Sequence, residues 1–177
     1  GVEAAAPPPE RDGTRSERYG TVVVEKDLLR LSEALRREEV LSVDLETTST
    51  DAAGADLVGI SLGTRDGRCW YVPVGHRYLG APAQVDSARA LEILRPLLEA
   101  ERPGKVGHNI KYDAVVLRRH GVRLGGLVFD TMVASYLIDP LRRKRPASSP
   151  FVPGLRSLLP TRRLCFSRRC SRRILRR

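Results

Sequence analysis

Residues 41–48 read Leu-Ser-Val-Asp-Leu-Glu-Thr-Thr, an apolar, β-favouring run that carries two carboxylates, Asp44 and Glu46. Alternation of apolar and polar residues predicts a strand, in which residues two apart point to the same face. Asp44 and Glu46 would then project side by side, while Val43 and Leu45 face the other way. Their partners could be basic side chains, water or a metal ion, and hard oxygen ligands suit magnesium or manganese. A solvated strand face is the simpler explanation of this pair alone, so a metal site requires a third carboxylate.

Composition is typical of one soluble domain. A length of 177 residues suits a single sizeable core. No stretch approaches the roughly 20 apolar residues of a membrane helix, and the first residues lack the basic-then-apolar pattern of a signal peptide. The three cysteines, Cys69, Cys165 and Cys170, give no disulfide framework and have no spacing typical of zinc ligands. We therefore expect a cytoplasmic protein with no membrane segment.

The net charge of +10 is distributed unevenly along the chain. Residues 1–140 contain 18 Lys and Arg and all 21 acidic residues, whereas residues 141–177 contain 13 basic residues and no acid. Residues 1–18, rich in Ala, Pro, Glu, Arg and Gly, are typical of a flexible linker. The sequence therefore predicts a linker at 1–18, a domain at 19–140 and a basic, disordered tail at 141–177.

Hydrophobic periodicity predicts strands and helices in a mixed order. We expect strands within residues 19–25, 41–47, 57–63, 69–74, 105–108 and 127–129, and helices at 26–39, 86–100, 110–120 and 131–138. The two strands on either side of residues 64–67 should form an antiparallel hairpin. This order indicates an α/β layered domain with a mixed sheet.

The third predicted helix has a clear start and stop. Asn109 is a favoured N-cap residue, and Gly121 suits the position after a helix. Between them, Val115, Val116 and Leu117 are expected to be buried.

A third carboxylate, Asp113, ends the segment Asn-Ile-Lys-Tyr-Asp at residues 109–113. It lies in the first turn of its predicted helix, where the helix dipole alone also favours an acid. Residues 44–48 and 109–113 together resemble the first and second motifs of the DEDD superfamily of 3′–5′ exonucleases. From about Tyr19 to Pro140 the chain is similar to the proofreading exonuclease domain of bacterial DNA polymerase I. The segments that carry this similarity are residues 57–62, 71–76, 94–98 and 129–132.

The resemblance implies a ribonuclease-H-like fold, a mixed β-sheet flanked by helices, incomplete at the C-terminus. It implies catalysis with two divalent ions, Mg²⁺ or Mn²⁺, and single-stranded DNA 3′ ends as substrate, with a polymerase domain in the full-length protein. A narrow site suits an unstacked single strand. By the same resemblance the catalytic metal ligands are Asp44, Glu46 and Asp113, and the residues near the terminal nucleotide are Thr47, His108, Asn109 and Tyr112.

The third motif of that family, Tyr-x-x-x-Asp, has no counterpart in this sequence. Tyr136 is followed by Asp139 one position too early, and no acid comes after Asp139. We therefore expect weaker binding of one metal ion and a poorly oriented water, so that this chain alone is not an efficient nuclease. The alternative function is an inactive nucleic-acid-binding module with a basic arm.

Three explanations of the basic tail, residues 141–177, stay open. A shifted reading frame in a GC-rich gene gives Arg, Pro, Ser and Leu without acids, as found here. An authentic basic arm would grip phosphates and bind less tightly at high salt. An unstructured extension would have no role.

Several other residues have ordinary structural explanations. We expect His76 and His120 at the surface or at caps, Trp70 and Tyr71 in packing, and Cys69 in the core. Asp130 could support the site from behind or cap the helix that begins at Thr131.

Overall fold

The computed structural model describes residues 19–79, 81 and 83–138. The predicted linker and basic tail lie outside these residues. The elements are β1 (Tyr19–Thr21), α1 (Glu25–Leu35), β2 (Val40–Thr47), β3 (Leu57–Thr64), β4 (Cys69–Pro73), α2 (Ser87–Glu99), β5 (Gly104–Gly107), α3 (Ile110–Arg119), β6 (Leu127–Asp130) and α4 (Thr131–Ile138).

One mixed sheet of six strands, in the order β1-β4-β3-β2-β5-β6, organises the fold. The strands β2, β3 and β4 pair antiparallel, whereas β1–β4, β2–β5 and β5–β6 pair parallel. The predicted hairpin of β3 and β4 is therefore confirmed, and the backbone N–H of Thr64 closes its turn on the carbonyl of Arg68. The α/β class with a mixed sheet is also confirmed.

The main core lies on one face of this sheet, beneath α1 and α2. Leu41, Val43 and Leu45 of β2 are buried there because they alternate with polar residues along the strand. The apolar stripe of α2 is buried as predicted, at Ala90, Leu91, Leu94, Leu97 and Leu98. Each fully buried Leu contributes about 1.5–3 kcal/mol. The layer of helices therefore determines which face of β2 remains for Asp44 and Glu46.

Three predicted boundaries or faces are wrong. The run from Thr21 to Val24 favours a strand, but β1 stops at Thr21, and Val24 is instead the N-cap residue of α1. Helix α1 ends at Leu35 rather than residue 39, because residues 36–39 are all charged and offer nothing apolar to pack. Val115 is 47% exposed, because the buried face of α3 contains Ile110, Asp113, Val116 and Leu117 instead.

Among the residues that the structure describes, no helix combines the length and apolar character needed to cross a membrane.

Candidate active site

Asp44 and Glu46 lie on the face of β2 opposite the main core, as the alternation predicts. Both are partly buried, whereas Val43 and Leu45 between and beside them are buried. Pairing of β2 with β5 covers only Val40 to Ser42, while pairing with β3 continues along the strand. Beyond Ser42, the β5 side of β2 is therefore available to another element.

Asp113 of α3 takes that place. Its Oδ1 accepts a hydrogen bond of 3.0 Å from the backbone N–H of Leu45. The Asp113 residue is only 3% exposed. One side-chain bond thus fixes the first turn of α3 against β2, between the residues Asp44 and Glu46.

The carboxylates of this region repel one another. Burial, and then the negative charge of Asp44, raise the pKa of Asp113 to about 8. The hydrogen bond from Leu45 acts in the opposite direction and is outweighed, and the charge of Asp130 raises the pKa further. A cation beside Asp44 and Asp113 would relieve this repulsion, and carboxylate oxygens are suitable ligands for Mg²⁺ or Mn²⁺.

The fit to a metal ion is thus best at the Asp44–Asp113 pair. Glu46 lies two residues further along the same strand face. Within the part of the chain that the structure describes, no three His, Cys, Asp or Glu side chains are grouped as metal ligands. The described residues therefore provide a carboxylate pair with a neighbouring Glu, not a closed metal cage.

Thr47 and Tyr112, predicted near the terminal nucleotide, contact each other. Their hydroxyl oxygens are 2.6 Å apart, and Thr47 Oγ1 donates to the carbonyl of Ser49 at 2.9 Å. The Tyr112 hydroxyl also donates to the carbonyl of Ser49, so the two hydroxyls converge on the same acceptor. Arg119 also donates to the carbonyl of Ala55, 2.7 Å away. The loop after β2 is therefore attached to both ends of α3.

His108 is held at the turn between β5 and α3. Its Nδ1 is 2.9 Å from the hydroxyl of Thr131, and that hydroxyl donates to the carbonyl of Gly107 at 3.2 Å. Since the hydroxyl proton is used on Gly107, Nδ1 of His108 is assigned as the donor.

Asn109 occupies the N-cap position before α3, as predicted, but its side chain does not cap the helix. Its backbone is left-handed, with φ 62° and ψ 40°, and its side chain makes no cap hydrogen bond. Asn tolerates this conformation better than most residues. The Asn109 Oδ1 atom is buried without a hydrogen-bond partner.

Asp130 supplies the missing cap from the neighbouring strand. Its carboxylate accepts from the backbone N–H of Asn109 at 3.0 Å, of Ile110 at 3.0 Å and of Met132 at 2.7 Å. Both roles considered for Asp130 are thus observed, because it caps α4 and supports the start of α3. The reason is topological: β5 and β6 are parallel, and Asp130 is the register partner of Gly107.

His76 is the residue that sequence reasoning missed. It is half-buried, and its Nε2 is 2.7 Å from the hydroxyl of Tyr71. Burial lowers the pKa of His76, and the charge of Glu46 opposes that shift. The expected surface position is therefore wrong for His76, whereas it holds for the exposed His120. Tyr71 and Cys69 are buried as expected.

Carboxylates from β2 and α3 meet within a mixed sheet, at the point where pairing of β2 with β5 stops. The chain belongs to the 3′–5′ exonuclease family, whose model matches residues 19–160. Curated proteins of similar sequence include several DNA polymerase I proteins. The DNA polymerase I of Pseudomonas aeruginosa is 42% identical over 107 residues, which cover 59% of this chain and 12% of that protein. The chain spans between 10% and 16% of the length of the curated relatives.

Solved structures show the same fold at lower identity. The POL domain of Pol1 from M. smegmatis, in complex with DNA primer-template and dNTP, superposes with a TM-score of 0.57 at 21% identity, covering 71% of this chain and 20% of that one. Escherichia coli RNase D gives a TM-score of 0.52 at 19% identity, covering 79% and 33%. The predicted ribonuclease-H-like fold and the resemblance to the polymerase I exonuclease domain are confirmed.

Proposed function

We propose that this domain removes nucleotides from the 3′ ends of single-stranded DNA by divalent-metal-dependent hydrolysis of the terminal phosphodiester. The observation that carries the proposal is the attachment of Asp113 to the backbone of Leu45, which places its carboxylate next to Asp44. Membership of the 3′–5′ exonuclease family supports the nuclease class. Proofreading in DNA replication and repair is the corresponding biological role.

Asp44, Glu46 and Asp113 would hold the Mg²⁺ or Mn²⁺ ions, two in a complete site. Bound divalent ions lower the pKa of a water and neutralise charge on the phosphate and leaving oxygen. Without them, a DNA phosphate would bring further negative charge to the Asp44–Asp113 pair and would be repelled.

The remaining predicted residues would orient the terminal nucleotide. Thr47 and Tyr112 present paired hydroxyls at the end of β2, and His108 and Asn109 form the turn that leads into α3. The buried amide oxygen of Asn109 has no protein partner, so a donor on the nucleotide could satisfy it. These groups bind and orient the DNA, and positioning of this kind is a large part of catalysis.

A second candidate is a nucleic-acid-binding module without catalysis. The supporting observation is the sequence after Asp139, which has no acid to complete a third motif and 13 basic residues within 141–177. Such a module would hold DNA through contacts to phosphates and would lose affinity steeply as salt rises. For either function we propose a cytoplasmic location and a polymerase domain in the full-length protein.

Release of mononucleotides from a 3′-labelled single strand, with Mg²⁺ or with EDTA, distinguishes the two functions. We expect Mg²⁺-dependent release that falls about 100-fold or more in Asp44→Ala, in line with the loss of a main electrostatic group. Asp27→Ala is the matched control, because Asp27 is an exposed acid on α1, across the sheet.

Two results would contradict the nuclease proposal. Full activity in Asp44→Ala would remove the residue from the mechanism. Salt-sensitive binding of the strand without any release, in the wild-type chain, would favour the binding module.

A further inference from the structure

Tyr71 lies on the same sheet face as the acidic pair. Ser61 of β3 is the register partner of Asp44 on one side and of Tyr71 on the other. Directly opposed residues of antiparallel strands project to the same face. Tyr71 is only 1% exposed, so its hydroxyl is used inside the protein rather than in solvent.

The Tyr71 side chain reaches diagonally to the residue opposite Glu46. That residue is Gly59, whose register partners are Glu46 and Pro73. A Cβ atom on Gly59 would lie 2.1 Å from the Tyr71 hydroxyl oxygen. The hydroxyl therefore occupies the space that a side chain at position 59 would fill, beside Glu46.

His76 holds this hydroxyl and is itself held firmly. Its Nε2 lies 2.7 Å from the Tyr71 hydroxyl oxygen. The side-chain amide of Gln84 accepts from the backbone N–H of His76 at 2.7 Å and donates to its carbonyl at 2.9 Å. The ring of Tyr78 packs edge-on against the imidazole, with centroids 5.5 Å apart. Such contacts on both sides leave the imidazole little freedom to turn.

The field of Glu46 reaches this imidazole. The charge of Glu46 raises the pKa of His76 against the larger effect of burial. The contacts of His76 on its main chain and on its ring also fix the direction of its bond to the Tyr71 hydroxyl, which lies beside Glu46.

We propose that Tyr71 and His76 are a positioning pair for Glu46: Nε2–H of His76 donates to the Tyr71 hydroxyl oxygen, and the Tyr71 proton is thereby directed toward the Glu46 side of Gly59. The effect on catalysis rests on the proposed exonuclease function. The role of Tyr71 and His76 is to keep the Glu46 carboxylate in the orientation that serves the site.

Side-chain nitrogen NMR of the full, metal-free chain tests the arrangement without any need for activity. We expect the His76 ring to carry its proton on Nε2, and its nitrogen shifts to change in both Tyr71→Phe and Glu46→Gln. Asp27→Asn, an acid-to-amide change on α1, should leave the His76 shifts unchanged. A proton on Nδ1, with Nε2 accepting from Tyr71, or identical shifts in Glu46→Gln, would overturn the proposal.

Kinetics of mononucleotide release test the consequence. Tyr71→Phe keeps the buried ring and removes only the hydroxyl, so we expect kcat to fall about 10-fold with KM unchanged, since outer-shell partners of a metal-ligating side chain typically contribute roughly 10- to 100-fold in activity. His76→Leu should fall similarly, whereas His76→Gln, which keeps an N–H donor, should recover part of the loss. His120→Leu, an exposed histidine at the end of α3, serves as the control.

The two measurements separate the possible failures. An unchanged kcat in Tyr71→Phe would overturn the positioning role. A fall in kcat fully explained by a smaller folded fraction of the variant, measured by denaturation, would overturn it as well. A wild-type chain that releases no nucleotide would instead refute the exonuclease proposal, and the NMR measurement would still decide the hydrogen-bond arrangement.

Discussion

Replacing Asp113 with Asn should stabilise the metal-free protein at neutral pH. The Asp113 residue is 3% exposed and lies in the field of Asp44, and its pKa is raised from 3.8 to about 8. Because the folded state binds this proton more tightly than the unfolded chain, stability is highest in acid and falls as pH rises from about 4 toward 8. Asn cannot ionise in either state, and its side-chain oxygen can still accept the hydrogen bond from Leu45.

The magnitude follows from the two pKa values. At pH 7 the unfolded chain ionises at Asp113 while the folded state keeps the proton, which lowers the free energy of unfolding by on the order of 4 kcal/mol relative to acid. This loss grows by about 1.4 kcal/mol for each pH unit between pH 5 and 7 and levels off near pH 8. This is a large part of the 5–15 kcal/mol that stabilises a typical domain.

Urea unfolding in EDTA at several pH values between 5 and 9 measures the effect. The difference in unfolding free energy between Asp113→Asn and the wild type should increase with pH, whereas Asp27→Asn, an exposed acid on α1, should show no such trend. With saturating Mg²⁺ the wild type should regain stability and the variant should not, because an amide is a poor substitute for a carboxylate ligand. A difference that is constant with pH would refute the reasoning about the buried charge.

Three further predictions concern the groups that surround this carboxylate. Asp130→Ala leaves the N–H groups of two helices without their acceptor, so the unfolding free energy should fall by about 2–3 kcal/mol. Mg²⁺ should also stabilise the variant less than the wild type. An unchanged Mg²⁺ effect would contradict the link between Asp130 and α3. Gly59→Ala should lower thermal stability by about 1–3 kcal/mol through overpacking against Tyr71, and a neutral result would show that the ring moves freely. Tyr112→Phe removes the hydroxyl that bonds to Thr47 and Ser49 and should raise KM for a single-stranded 3′ end more than it changes kcat, which steady-state kinetics can check.

Much of the fold was predictable because it depends on local periodicity. Alternation along residues 41–47 places Val43 and Leu45 in the core and the acidic pair on the other face, whatever the rest of the chain does. The apolar stripe of α2 is equally local. The prediction was weaker where apolar residues are consecutive. Val115, Val116 and Leu117 follow one another, and because a helix turns about 100° per residue, Val115 points to solvent while the other two are buried.

By itself, the sequence determined the order of strands and helices, the face on which Asp44 and Glu46 project, and the family resemblance in their surroundings. The hydrogen-bond partners and neighbours of these carboxylates depend on the tertiary structure. Asp113 bonds to Leu45 across 68 residues, Asp130 rather than Asn109 caps α3, and Tyr71 with His76 fills the space over Gly59. Such contacts depend on which strands become neighbours and where pairing stops, and local periodicity carries no information about either.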